Sequence, residues 1–160
     1  MNANYHSYWR HACLIALCCF ALAASVAYSA IKNMAVVVAA DSKLPDLTFT
    51  ELSKLCKGAQ KAWPDGRTFT LVVTDPSAPG MHVAIQRLLG VPPDEAKAAI
   101  AKINESRPLI KIVASDEDVF RTVTATPGAV GLVDVYTINS AVKVLHIDGK
   151  LPFDVGYALK

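Results

Sequence analysis

The sequence predicts an α/β fold: a single open sheet, mixed or parallel, with helices on both faces. Three observations carry this. Short β-rich apolar runs alternate with helical patterns from Met34 to Asp148. "MAVVVAAD", Met34 to Asp41, is apolar at successive positions, as expected of a strand buried on both faces. "LVVTDPSAPGMHVAIQRLLG", Leu71 to Gly90, reads as strand, loop and helix in succession. Such alternation packs helices on the sheet faces, with right-handed crossovers wherever neighbouring strands are parallel.

After the first strand, "LPDLTFTELSKLCKG" marks a helix start. Thr48 is its N-cap, Glu51 the capping-box partner, Leu47 is placed to staple onto Leu52, and Gly58 supplies the stop. Cys56 stands at helical spacing from Phe49 and Leu52, so it reads as a small buried hydrophobe. Lys57 and Lys61 flank the helix end, where cations complement the dipole. "WPDGRTFTLVVTD" turns at Pro64, Asp65 and Gly66 and enters a second strand over Thr68 to Thr74. The second helix follows with Met81, Ala84, Ile85, Leu88 and Leu89 on one face.

"VPPDEAKAAIAKINES" is a third helix with Pro92 and Pro93 near its start and Ala96, Ala99, Ile100 and Ile103 as its buried stripe. "PLIKIVAS" is the third strand. Ser115 caps a fourth helix, "DEDVFRTVTAT", whose Asp116, Glu117 and Asp118 lie in the first turn. Consecutive acids point around a helix rather than converging, so they read as a solvated helix start and not a metal cluster. "TPGAVGLVD" is a turn and strand. "AVKVLHIDGKLPF" is a last strand, with His146 on or beside the face of Val142 and Val144, ending in an Asp148-Gly149 turn.

The 160 residues suit one domain plus a short appendage. The N-terminus carries Arg10 and no acid, then runs apolar from Ala12 to Val26 and ends in small residues, the order of a secretory leader. Cleavage is expected after Ser29, with Ala27 and Ala30 as neighbouring positions, giving a leader over 1–29 and a domain over 30–160 exported to the periplasm or cell envelope. The alternative is an uncleaved N-terminal membrane anchor. Lipidation is not expected, because Cys18 follows Leu17 and Cys19 follows Cys18 where a small residue is needed. Of the 4 cysteines, Cys13, Cys18 and Cys19 leave with the leader, so Cys56 has no internal disulfide partner. Losing the leader takes Arg10 from the 16 basic residues and none of the 14 acids. The near-neutral domain has no basic run, which argues against a nucleic-acid partner.

The ordered set "AVVVAADSKLPDLTFTELSKLCKG", "WPDGRTFTLVV", "VAIQRLLG", "TPGAVGLVD" and "VKVLHIDG" resembles the phosphate-binding substrate-binding proteins of ABC transporters, within the type II periplasmic-binding-protein superfamily. The resemblance runs from about Met34 to Gly149 and implies a periplasmic-binding-protein-like lobe. Full-length members close two lobes around an oxyanion, so the implied ligand is phosphate or another small oxyanion, with an envelope protein or a second copy completing the cleft. The resemblance places the anion loop after the second strand, over Thr74 to His82. Thr74, Ser77, Gly80, Met81 and His82 are its candidate ligands, Met81 and His82 through amides expected to be free. The family's loop carries an arginine just after the strand, whereas this chain has Thr74 and Asp75 there and loses two N–H donors to Pro76 and Pro79. The expected loop is therefore a weakened one.

Two functions compete on these residues: a solute-binding-protein-like module presenting this loop, and a non-transport envelope interaction or structural protein built on the same lobe. An enzyme is not expected. The exported part has only His82 and His146 as histidines, in no Cys-His or Ser-His-Asp spacing, with no metal-ligand cluster and no cofactor motif.

Overall fold

A computed structural model describes residues 33–160, and the leader expected over 1–29 lies outside them. Five strands are formed: β1 (Met34–Ala39), β2 (Thr70–Val73), β3 (Ile110–Ile112), β4 (Ala129–Asp134) and β5 (Val142–Val144). The helices are α1 (Phe49–Cys56), α2 (Met81–Leu89), α3 (Ala96–Ser106) and α4 (Asp116–Ala125). The strands make one open sheet in the order β3-β2-β4-β1-β5. β2 is parallel to β3 and β4, while β1 is antiparallel to β4 and β5. The sheet is therefore mixed.

Alternation along β1 divides the core in two. Met34, Val36 and Val38 join the larger cluster with Leu71, Val73, Val130 and Leu132, and α1, α2 and α3 cover that face. Ala35 and Val37 point the other way, into a smaller cluster with Val119, Phe120 and Val123 of α4. Helices on both faces explain why β1 and β4 read as unbroken apolar runs. At the centre of β4, Gly131 allows α4 to lie close. A β-carbon there would stand 2.5 Å from Val119 Cγ1, 3.0 Å from Val37 Cγ2 and 3.2 Å from Val123 Cγ2.

The helix ends follow local chemistry. Thr48 Oγ1 accepts the Glu51 N–H at 3.2 Å, and Glu51 Oε2 accepts the Thr48 N–H at 2.9 Å, closing the expected capping box. A further carboxylate comes from the chain's other end: Asp148 Oδ1 accepts the Phe49 N–H at 3.1 Å. Asp148 and Gly149 both have positive φ, 53° and 72°, as a two-residue hairpin turn between Ile147 and Lys150 requires. The Trp-x-Asp-Gly and Pro-Gly-Ala-x-Gly turns also meet, because buried Trp63 donates its indole N–H to the Gly128 carbonyl at 2.9 Å. Gly128 has φ +87°, and a β-carbon would lie 2.5 Å from the Thr68 carbonyl oxygen, so only glycine fits.

Several boundaries differ from the sequence expectation. β1 stops at Ala39 because Ala40 turns to bond the Ala141 carbonyl. β2 is shorter than Thr68 to Thr74, since Thr68 bridges back to Ala62. The third helix begins as a 3₁₀ turn over Pro93–Glu95. His146 is not within β5. It follows the strand, where its N–H is donated to Asp46 Oδ1 at 2.8 Å and its Nδ1 lies 3.1 Å from Asp46 Oδ2, so an exposed carboxylate replaces the ladder partner.

Candidate functional site

The loop from Thr74 to Gly80 leaves the carboxyl end of β2 and delivers the start of α2. Ligands of open α/β sheets bind beyond such strand ends. Val73 is buried, Thr74 half-buried and Asp75 exposed, so the chain emerges from the core at that carboxylate. Gly80, the N-cap residue of α2, has φ +85° and offers no side-chain cap. Met81 turns straight into the core at 1% exposure, so it could meet a ligand only through its backbone N–H.

Asp75 organises the loop. Its Oδ1 accepts the Ser77 N–H at 3.0 Å, and its carbonyl accepts the Ala78 N–H at 3.0 Å. The ammonium of Lys97, on α3, lies 3.3 Å from the same Oδ1. The Ser77 amide first, and then Lys97, hold the Asp75 carboxyl below its ordinary value, so it is ionised at neutral pH. The His82 amide, expected free, is donated to the Ala78 carbonyl at 3.0 Å. The His82 ring also leans on that carbonyl, with Nδ1 at 3.3 Å.

An open cleft of about 360 Å³ adjoins this turn, lined by Ser77, His82, Pro93, Asp94 and Lys97. Of the sequence-expected ligands, Ser77 and His82 line it, whereas Thr74 and Gly80 do not and the Met81 side chain is in the core. Lys97 is the residue that sequence reasoning missed. It supplies a cation in a loop without an arginine, and only the packing of α3 beside α2 brings it there. Among the described residues no group of acids, histidines and cysteines could hold a metal ion. Asp116 instead accepts the Thr137 hydroxyl at 2.6 Å, and Asp118 pairs with Arg121 at 2.8 Å.

No family model matches the sequence, and no curated protein matches it. Solved structures do. An ABC-type phosphate transport receptor from Vibrio cholerae superposes with a TM-score of 0.58 at 18% identity, covering 76% of this chain and 48% of its own. The fold is that of about half of this receptor. PstS from Borrelia burgdorferi gives 0.55 at 16% identity, covering 76% of this chain and 49% of its own. A structure described as a phosphate ABC transporter substrate-binding protein with bound phosphate, from Clostridium perfringens, gives 0.57 at 14% identity, with 74% and 46% covered. The chain thus spans about half the length of these solved structures. Likeness at this identity establishes the fold, and the chemistry has to come from the side chains.

Proposed function

We propose that this chain is an exported solute-binding-protein-like module whose anion loop has lost most of its oxyanion affinity to an internal carboxylate. The observation that carries the reading is Asp75. It takes the Ser77 N–H of the turn and faces the Lys97 ammonium of α3, two donors that a bound oxyanion would need. An arriving phosphate has to displace a negative group of similar hydrogen-bonding reach. Likeness to phosphate receptors supports the descent of the loop, and Asp75 explains its weakening. Each donor that remains competes with water, so it adds about 1 kcal/mol, and three or four such bonds reach millimolar affinity.

Isothermal titration of the full chain with phosphate tests this. No micromolar site is expected at this loop, Asp75→Ala strengthens whatever binding it has, and Asp75→Arg strengthens it further. Micromolar binding by the unmodified chain that Lys97→Gln weakens would overturn the proposal. Export belongs to the same reading and is checked by N-terminal sequencing of the envelope fraction: a start between Ala27 and Ala30 agrees with it, an intact Met1 in the membrane does not.

The second reading, an envelope interaction protein, draws on one surface feature. Tyr136 and Phe153 are 78% and 57% exposed, yet their rings pack together at 5.9 Å, beside a tail in which Val155 is 93% exposed. If Phe153→Ser releases a bound envelope protein while phosphate binding stays negligible, this reading gains over the first.

A further inference from the structure

A different cleft opens at the other end of the parallel strands. Leu109 directly precedes β3, which runs parallel to β2, so this cleft lies at the amino ends of strands whose carboxyl ends lead to the Asp75 loop. It measures about 250 Å³ and is lined by Lys57, Gly58, Lys61, Ile103, Ser106, Arg107 and Leu109. Three cations border it, and no acid does. By contrast, the Asp75 cleft pairs Lys97 with Asp75, and a cleft of about 370 Å³ beside Lys43 and Arg67 also contains Asp41.

The cations have an ordinary structural task, since Lys57 and Arg107 are the C-cap residues of α1 and α3. The Lys57 ammonium also lies over Gly90, the C-cap of α2, 3.5 Å from where a β-carbon would sit. Three helix ends at about half an elementary charge each offset roughly half of the three positive charges. A positive surplus of about 1.5 charges is left over on the same estimate.

The three cationic heads are also uncommitted. Among the described arginines, Arg67 pairs with Asp65, Arg121 with Asp118, and Arg87 donates to the Ala158 carbonyl. Arg107 is half-buried, its guanidinium makes no hydrogen bond or ion pair among the described residues, and neither the Lys57 nor the Lys61 ammonium makes one. A guanidinium presents five N–H donors in a fork that matches phosphate oxygens, and those of Arg107, with no protein partner, are open to solvent and to a ligand. The Ser106 hydroxyl is spent on the Ile103 carbonyl at 3.1 Å, so the cations alone supply the donors. The cavity is at the small end for a ligand site.

We infer that the Lys57–Lys61–Arg107 cleft binds a compact phosphate-type oxyanion, independently of the Asp75 loop. Arg107 holds two oxygens in its fork, and Lys57 and Lys61 neutralise the remaining charge. The phosphate belongs either to a free anion or to a lipid headgroup, and the two sources are separable.

The test titrates the full chain with sodium pyrophosphate and, in a second arm, floats it with phosphatidic-acid vesicles against phosphatidylcholine vesicles. Saturable pyrophosphate binding that Arg107→Gln weakens about tenfold or more, as loss of a charged hydrogen-bonding partner would, supports a free anion. Vesicle binding that needs phosphatidic acid and Arg107, without a pyrophosphate response, supports a headgroup. Lys61→Gln, at an exposed position, weakens either mode by less. Asp75→Ala, which alters the loop, leaves the Arg107-dependent part of either response in place. Thermal unfolding confirms that the variants are folded. Absence of binding in both arms, or binding that follows Asp75→Ala and ignores Arg107→Gln, overturns the inference.

Discussion

Replacing Gly131 by alanine tests the closeness of α4 to the sheet. The added β-carbon would lie 2.5 Å from Val119 Cγ1, with Val37 Cγ2 at 3.0 Å and Val123 Cγ2 at 3.2 Å. All three neighbours are β-branched, so none can swing a flexible end aside, and Val37 and Val119 are fully buried. Overpacking of this kind costs about 1–3 kcal/mol, and the nearest approach puts Gly131→Ala at the upper end. Alanine returns about 0.5–1 kcal/mol, because glycine loses more freedom on entering a strand. The net loss is therefore about 2 kcal/mol, read as a lower urea midpoint at unchanged slope. Val119→Ala removes the colliding methyl, so the double variant should be more stable than the two single losses predict by about 1 kcal/mol. A stability change below about 0.5 kcal/mol for Gly131→Ala, or strict additivity with Val119→Ala, would refute the packing argument.

Leu88, fully buried on α2, should cost about 2–5 kcal/mol when cut to alanine, measured by the same denaturation. Glu51 is held below its ordinary value of 4.5, first by the Thr48 amide and then by the Thr48 hydroxyl. A depressed carboxyl contributes stability that is fully present above the unfolded value and is lost as the pH falls through the folded one. Acid titration of the unfolding midpoint below pH 4.5 should therefore fall less steeply for Glu51→Gln, which keeps the capping geometry but cannot titrate. Burial pushes the Cys56 thiol far above its usual range, so a thiol reagent should label it only after denaturation, and rapid labelling of the native protein would place it at the surface.

The features legible in the sequence are those built by neighbours in the chain. The Thr48–Glu51 box spans three positions, and all five apolar residues expected to face the core from α2 are buried there. Cys56 and the Ser115 cap are local in the same sense, with Ser115 Oγ accepting the Asp118 N–H at 3.2 Å. What the sequence hides is non-local. Nothing between Met34 and Ala39 says that β1 runs antiparallel to both its neighbours, because a run buried on both faces looks the same in either direction. His146 left the expected strand for a carboxylate 100 positions away, and no periodicity encodes that choice. The Asp75 loop was legible as strand, turn and helix. Its Lys97 was not, since residues on two helices meet only when the helices pack. Lys57 and Lys61 likewise read as dipole complements until one cleft gathers them with Arg107.

The bond from Trp63 to Gly128 makes the protein its own optical probe. Of the 2 tryptophans, Trp9 lies in the expected leader, so the exported domain would hold a single indole, 2% exposed and packed against Phe69 at 5.9 Å. Its donor and acceptor are 65 positions apart, and β2, α2, α3, β3 and α4 all lie between them. Closing a loop of that length costs roughly 4 kcal/mol in chain entropy before any contact repays it. A blue-shifted emission should therefore rise late in refolding, after the helical dichroism, as the two turns that bracket the parallel strands come together.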